Sequence, residues 1–91
     1  MLYAWMGFLK PGADHIAQSV QEMARDFLDQ PLIDIRMVGP LIDKSGKRAG
    51  MMLIFERDNR DDAEAFVKDS PYLRAGLYED HRLYEYQDGV A

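Results

Sequence analysis

An α+β fold of four antiparallel strands and two helices, in the order β-α-β-β-α-β, is predicted by three observations. An apolar, aromatic-rich run opens the chain at 2–9, too short for a spanning helix. Helical spacing of apolar residues occurs twice, at about 14–29 and again after Asp58-Asn59. Three more strand-like runs follow, "LIDIRMV", "AGMMLIFE" and "LYEDHRLYEY". Two helices joined to four strands in that order pack on one face of the sheet, the ferredoxin-like arrangement.

The totals set the class. The chain has 91 residues, which is one small domain with Asp88–Ala91 as a frayed tail. It holds no cysteine, so neither disulfides nor thiolate metal sites can reinforce so small a core. The net charge of −5 argues against nucleic acid as the partner, since phosphate binding needs a clustered basic face. No segment has the length of a membrane span, and "MLYAWMGFL" lacks the charged n-region and cleavage site of a signal peptide. A cytoplasmic protein is expected. Two histidines without metal-ligand spacing predict no metal, and the absence of phosphate-binding glycine loops predicts no cofactor.

Each element has its own grounds. In the first strand Leu2, Ala4, Met6 and Phe8 alternate with Tyr3, Trp5 and Leu9, so both faces are apolar. Lys10-Pro11-Gly12 ends it. Asp14 is placed to cap the first helix, Ile16, Val20, Met23, Ala24, Phe27 and Leu28 form its stripe, and Pro31 stops it. In "LIDIRMV", Ile33, Ile35 and Met37 alternate with Asp34, Arg36 and Val38. Gly39-Pro40 should break that strand, because Pro lacks the ladder N–H and Gly adds no packing. Asp43 to Arg48 reads as a polar hairpin loop with Gly46 for positive φ. The strand after it is apolar from Met51 to Phe55. Asp58 or Asn59 caps the second helix, with Ala63, Phe66 and Val67 inward, and Ser70-Pro71 starts a short turn that Gly76 ends.

Two helices roof one face of a sheet, yet the strands at 2–9 and 51–55 are apolar on both. Exposing the second face would forfeit roughly 1.5–3 kcal/mol per large side chain. It would also leave a patch larger than soluble monomers carry. A homodimer that stacks sheet on sheet is therefore expected.

The motifs "LYA" at 2–4, "VGPLID" at 38–43, "LIFE" at 53–56 and "SPYLRAGLYE" at 70–79 resemble the YciI-like (YCII-related) family. The resemblance implies a dimeric α+β barrel with a pocket near the interface and a catalytic His–Asp pair. One branch of that family removes chloride from a chlorinated hydroxyhydroquinone. The family aspartate after Gly-Pro falls on Asp43. An ungapped count places Glu22 at the family histidine, whereas His15 takes that place after a shift of about two helical turns. Met51 follows Gly50 where the family often has Ser, and Ser70 replaces the Asp of its "DPY" segment.

The catalytic candidates are thus His15, Asp43 and His81. His15, near a helix start that disfavours imidazolium, reads as a neutral base or as an exposed first-turn residue. Asp43 reads as the carboxylate that orients a histidine or as the first residue of its hairpin turn. His81 reads as a pocket residue or a half-exposed strand position. The tyrosines serve packing, and a pocket lined by some of them suits a flat aromatic ligand. Lys44, Lys47 and Arg48 either steer an anion or sit solvated at the hairpin tip. Acid–base chemistry on a small organic molecule, such as an aromatic acid, is the leading expectation. A non-catalytic ligand-binding or accessory dimer that has lost the dyad is its rival.

Overall fold

In the computed structural model, residues 1–13, 22, 27, 29 and 33–89 are described. Four strands, β1 (Leu2–Leu9), β2 (Asp34–Ile42), β3 (Arg48–Glu56) and β4 (Tyr78–Tyr86), form one antiparallel sheet in the order β2-β3-β1-β4. Helices α1 (Arg60–Lys68) and α2 (Pro71–Arg74) separate β3 from β4. The fold is ferredoxin-like α+β. Among the described residues the element order is therefore β1-β2-β3-α1-α2-β4. The helix expected over 14–29 falls mostly outside them, although Glu22 and Phe27 are helical.

The helix boundaries follow their capping chemistry. Asn59 adopts an extended backbone, and its side-chain oxygen accepts the Asp62 N–H at 2.8 Å. Asp61 and Asp62 then occupy the first turn and Lys68 the last, the arrangement a helix dipole favours. Ser70 accepts from the Leu73 N–H, Pro71 opens α2, and Gly76 takes φ +68° as the chain turns toward β4.

The core lies between α1, α2 and the front of the sheet. Tyr3 and Trp5 of β1 and Met51, Leu53 and Phe55 of β3 meet Ala63, Phe66, Val67 and Tyr72 there. The alternate residues face the back. Phe8, Met37, Tyr84 and Tyr86 stand well exposed, and Met6, Met52 and Leu41 are half-buried. Register aligns Met6 with Met52 and Arg82, and Ala4 with Ile54 and Tyr84, so this apolar field runs across the sheet. Asp34 and Glu56 lie at one end and Asp80 at the other, while Arg82 stands beside Met6 within the field. At its centre Ala4 and Ile54 are buried within the single chain, and the exposed apolar area lies around them at Phe8, Met37, Tyr84 and Tyr86.

Two expectations about β2 are corrected. The strand does not break at Gly39-Pro40 but runs through both to Ile42. It is an edge strand, where every second N–H has no ladder partner, so proline is tolerated. Nor do Ile35 and Met37 share a face. A register shift between them leaves Ile35 opposite Phe55 and Met37 opposite Ile54, so Ile35 packs on the core and Met37 turns to the back. The extra residue is Arg36, whose guanidinium bridges Asp34 and Glu56 at 2.8 Å each.

Tyr72 is a weak point of the core. It is 1% exposed, and its hydroxyl finds no hydrogen-bond partner among the described residues. Burial pushes its pKa up to about 12. The unfolded phenol ionises near 10, so this contribution to stability is complete below pH 10 and is lost as the pH rises toward 12. Tyr72→Phe is expected to raise stability by roughly 1 kcal/mol at neutral pH, through loss of an unpaired buried group. It should also soften the alkaline loss, leaving the share due to Tyr78, which burial also raises to about 12. Denaturant melts between pH 7 and 11.5 measure both effects.

Candidate functional site

A single indole organises a groove between α1 and β4. Trp5, the chain's one tryptophan, lies on the front of β1 with 1% of its surface exposed. It stacks on Tyr72 at 6.1 Å and meets Tyr78 edge-on at 5.3 Å. Gly7, two residues on along the same face, makes room for it. A Cβ there would lie 2.6 Å from the Trp5 ring and 2.8 Å from that of Tyr78. A Cβ on Gly50 would fall on the Gly7 carbonyl oxygen, so the two central strands approach closely at this point.

The indole edge reaches β4. Gly7 pairs with His81 and Trp5 with Leu83, which sets the imidazole beside the indole. Trp5 Nε1 donates to His81 Nδ1 at 3.4 Å. An indole N–H can only donate, so Nδ1 is the acceptor and the neutral ring carries its proton on Nε2. Trp5 and His81 line a cavity of about 430 Å³ between α1 and β4. Val67, Leu73 and Leu83 supply its apolar walls, and Arg60, Glu64 and Lys68 its rim. Arg60 is held in place by Glu64 at 3.1 Å and by the Leu83 carbonyl at 2.9 Å.

Asp43 lies elsewhere. Its Oδ1 accepts from Ser45 N, Ser45 Oγ and Lys47 N at 2.9, 2.7 and 3.0 Å, closing the turn in which Gly46 takes φ +85°. The Ser45 hydroxyl, followed by the Lys47 amide, holds this carboxyl below its usual range. Asp43 borders a separate groove of about 260 Å³ with Lys10, Lys47 and Arg48. Sequence reasoning named Asp43 and His81 together; the chain places them in different grooves. His15 lies outside the described residues. Glu22 is exposed.

Trp5, Arg60 and Lys68 were missed as site residues. The signal for Trp5 was present in part, since Trp5 and Gly7 share a face by alternation, and a glycine beside a tryptophan marks where a ring lies over the backbone. Nothing in the sequence pointed to Arg60 and Lys68, because their proximity to His81 depends on how α1 lies along β4.

Comparisons with known proteins place this geometry in context. A family model described as YCII-related domain matches residues 1–87. No curated protein matches the chain. Among solved structures, the chain is similar to 5-chloro-2-hydroxyhydroquinone dehydrochlorinase from Burkholderia phenoliruptrix, in complex with 2,5-dihydroxybenzoquinone. The TM-score is 0.82 at 23% identity, over 98% of this chain and 96% of that one. An antibiotic biosynthesis monooxygenase follows with a TM-score of 0.60 at 18% identity, with both chains covered in full. A NIPSNAP domain protein from Burkholderia xenovorans gives 0.54 at 11% identity, over 100% and 99% of the two chains. At these identities the likeness is one of fold.

Proposed function

This chain belongs to the YCII-related family, and on that premise we propose that it is a cytoplasmic, single-domain homodimer that binds a compact organic molecule and acts on it by acid–base chemistry without a cofactor. The observation that carries the reading is the His81 imidazole, held by the buried Trp5 N–H at the edge of an apolar groove. A cavity of 430 Å³ falls in the range that takes a small ring compound. The tautomer leaves Nε2–H as the group that meets a ligand, able to give a proton to a developing anion. The shared fold with a dehydrochlorinase agrees with elimination from an acidic ring as the type of step. The paired assembly is supported by the exposed apolar residues on the back of the sheet, Phe8, Met37, Tyr84 and Tyr86. Among the described residues no helix is long and apolar enough to cross a membrane.

His15 and Asp43 form the other half of the proposal, as the histidine and carboxylate that the family resemblance pairs. Asp43 spends Oδ1 on its own turn, and none of those three bonds engages Oδ2. The separation of Asp43 from His81 favours a second reading, a ligand-binding dimer without turnover. Chloride release from 5-chloro-2-hydroxyhydroquinone, with wild type, His81→Gln and His15→Gln, separates the two. Loss of about 10²–10⁴-fold in rate on one histidine substitution supports the enzyme. Turnover untouched by both substitutions sinks the acid–base mechanism. A ligand retained through purification, with no turnover of any ring substrate tried, establishes the binding protein.

A further inference from the structure

We infer that the groove between α1 and β4 selects an organic anion, a small ring bearing a carboxylate or phenolate, through His81 Nε2–H and the Lys68 ammonium. The inference rests on the small-molecule reading above and names the class of ligand. Three observations converge on it. The chain carries 16 acidic against 11 basic residues, yet this groove reverses that ratio, with Arg60 and Lys68 against Glu64. Glu64 is already paired with Arg60, so the Lys68 ammonium at the rim is balanced only by the C-terminal end of the α1 dipole. No described residue forms an ion pair with Lys68.

The third observation is the tautomer. Because Trp5 occupies Nδ1 from within the core, His81 meets a groove ligand as a donor. A ligand group that accepts a hydrogen bond is satisfied there, and one that only donates is not. Val67, Leu73 and Leu83 would cover an apolar ring, while the anion sits between imidazole and ammonium. Trp5 acts here as a positioning residue. Its N–H decides which way His81 presents its proton.

The experiment reads the one tryptophan, whose emission reports on the groove it lines. Benzoate and its uncharged counterpart benzyl alcohol are titrated into the full chain at low salt, with wild type, Lys68→Gln and Trp5→Phe. For Trp5→Phe, calorimetry replaces fluorescence. Benzoate is expected to bind at least tenfold more tightly than benzyl alcohol. Lys68→Gln should weaken benzoate about two- to fivefold, as a partly screened surface charge does, and leave benzyl alcohol unchanged. Trp5→Phe, which frees the tautomer, should narrow the benzoate preference further while the chain stays folded. Equal affinity of the two probes, or a benzoate affinity indifferent to Lys68→Gln, overturns the anion assignment and leaves the binding groove standing. Absence of any response to either probe in the folded chain overturns both.

Discussion

Trp5→Ala is expected to cost about 3–5 kcal/mol, enough to unfold much of the population of so small a domain. The indole is buried to 1% and is the common neighbour of Tyr72, Tyr78 and His81. Its loss leaves a cavity that the central strands cannot close, because Gly7 and Gly50 already bring their backbones together. Trp5→Phe keeps most of the volume and removes the N–H. A loss below about 2 kcal/mol is expected for it, together with a change in the imidazole tautomer visible in the ¹⁵N chemical shifts of His81. Urea melts give the stabilities. Unchanged His81 shifts in the Phe variant would detach the histidine from the indole and remove the basis for its role in the groove.

If the chain pairs through the back of its sheet as proposed, Met52→Glu is expected to leave it a monomer. Met52 lies on the back of a central strand, opposite Met6 on one side and Gly39 on the other. In an isolated chain it is half-buried, and a carboxylate could turn to water at small cost. Between two stacked sheets the same carboxylate would be buried without a partner. The penalty of several kcal/mol corresponds to at least a 10³-fold weaker association. Tyr84→Glu, on the neighbouring edge of the same field, should act in the same direction and less strongly. Sedimentation of both variants alongside wild type measures the shift. If Met52→Glu leaves the mass unchanged, the back of the sheet is not the interface.

Much of the fold was legible because its signals were local. Alternation in 2–9 separated Tyr3 and Trp5 from Leu2, Ala4, Met6 and Phe8, and the structure keeps that division. The caps at Asn59 and Ser70, the stop at Gly76 and the hairpin glycine were all written in residue chemistry. Strand β2 was misread because two non-local facts govern it. Its place at the edge of the sheet lets Pro40 remain in the strand, and nothing within 32–42 says which strand will be an edge. The irregularity at Arg36 depends on Glu56, twenty residues away, to hold the guanidinium. A strict period of two could not show that Ile35 and Met37 part ways there.

The site was less legible than the fold for a related reason. Candidate residues were chosen by type, so both histidines and the aspartate after Gly-Pro stood out. Whether they meet depends on strand order and register. Asp43 closes its own hairpin, as an aspartate before Lys-Ser-Gly commonly does, and His81 reaches the core through Trp5. A resemblance that covers the chain carries the fold more securely than it carries a dyad.

The account depends most on a sheet whose back is largely apolar and keeps Phe8, Met37, Tyr84 and Tyr86 exposed in the single chain. Sedimentation equilibrium of the unmodified chain at micromolar concentration tests it directly. A mass twice the 10.5 kDa of one chain is predicted, with no monomer resolved. A single species of 10.5 kDa, with Phe8, Met37 and Tyr84 in water, would contradict it.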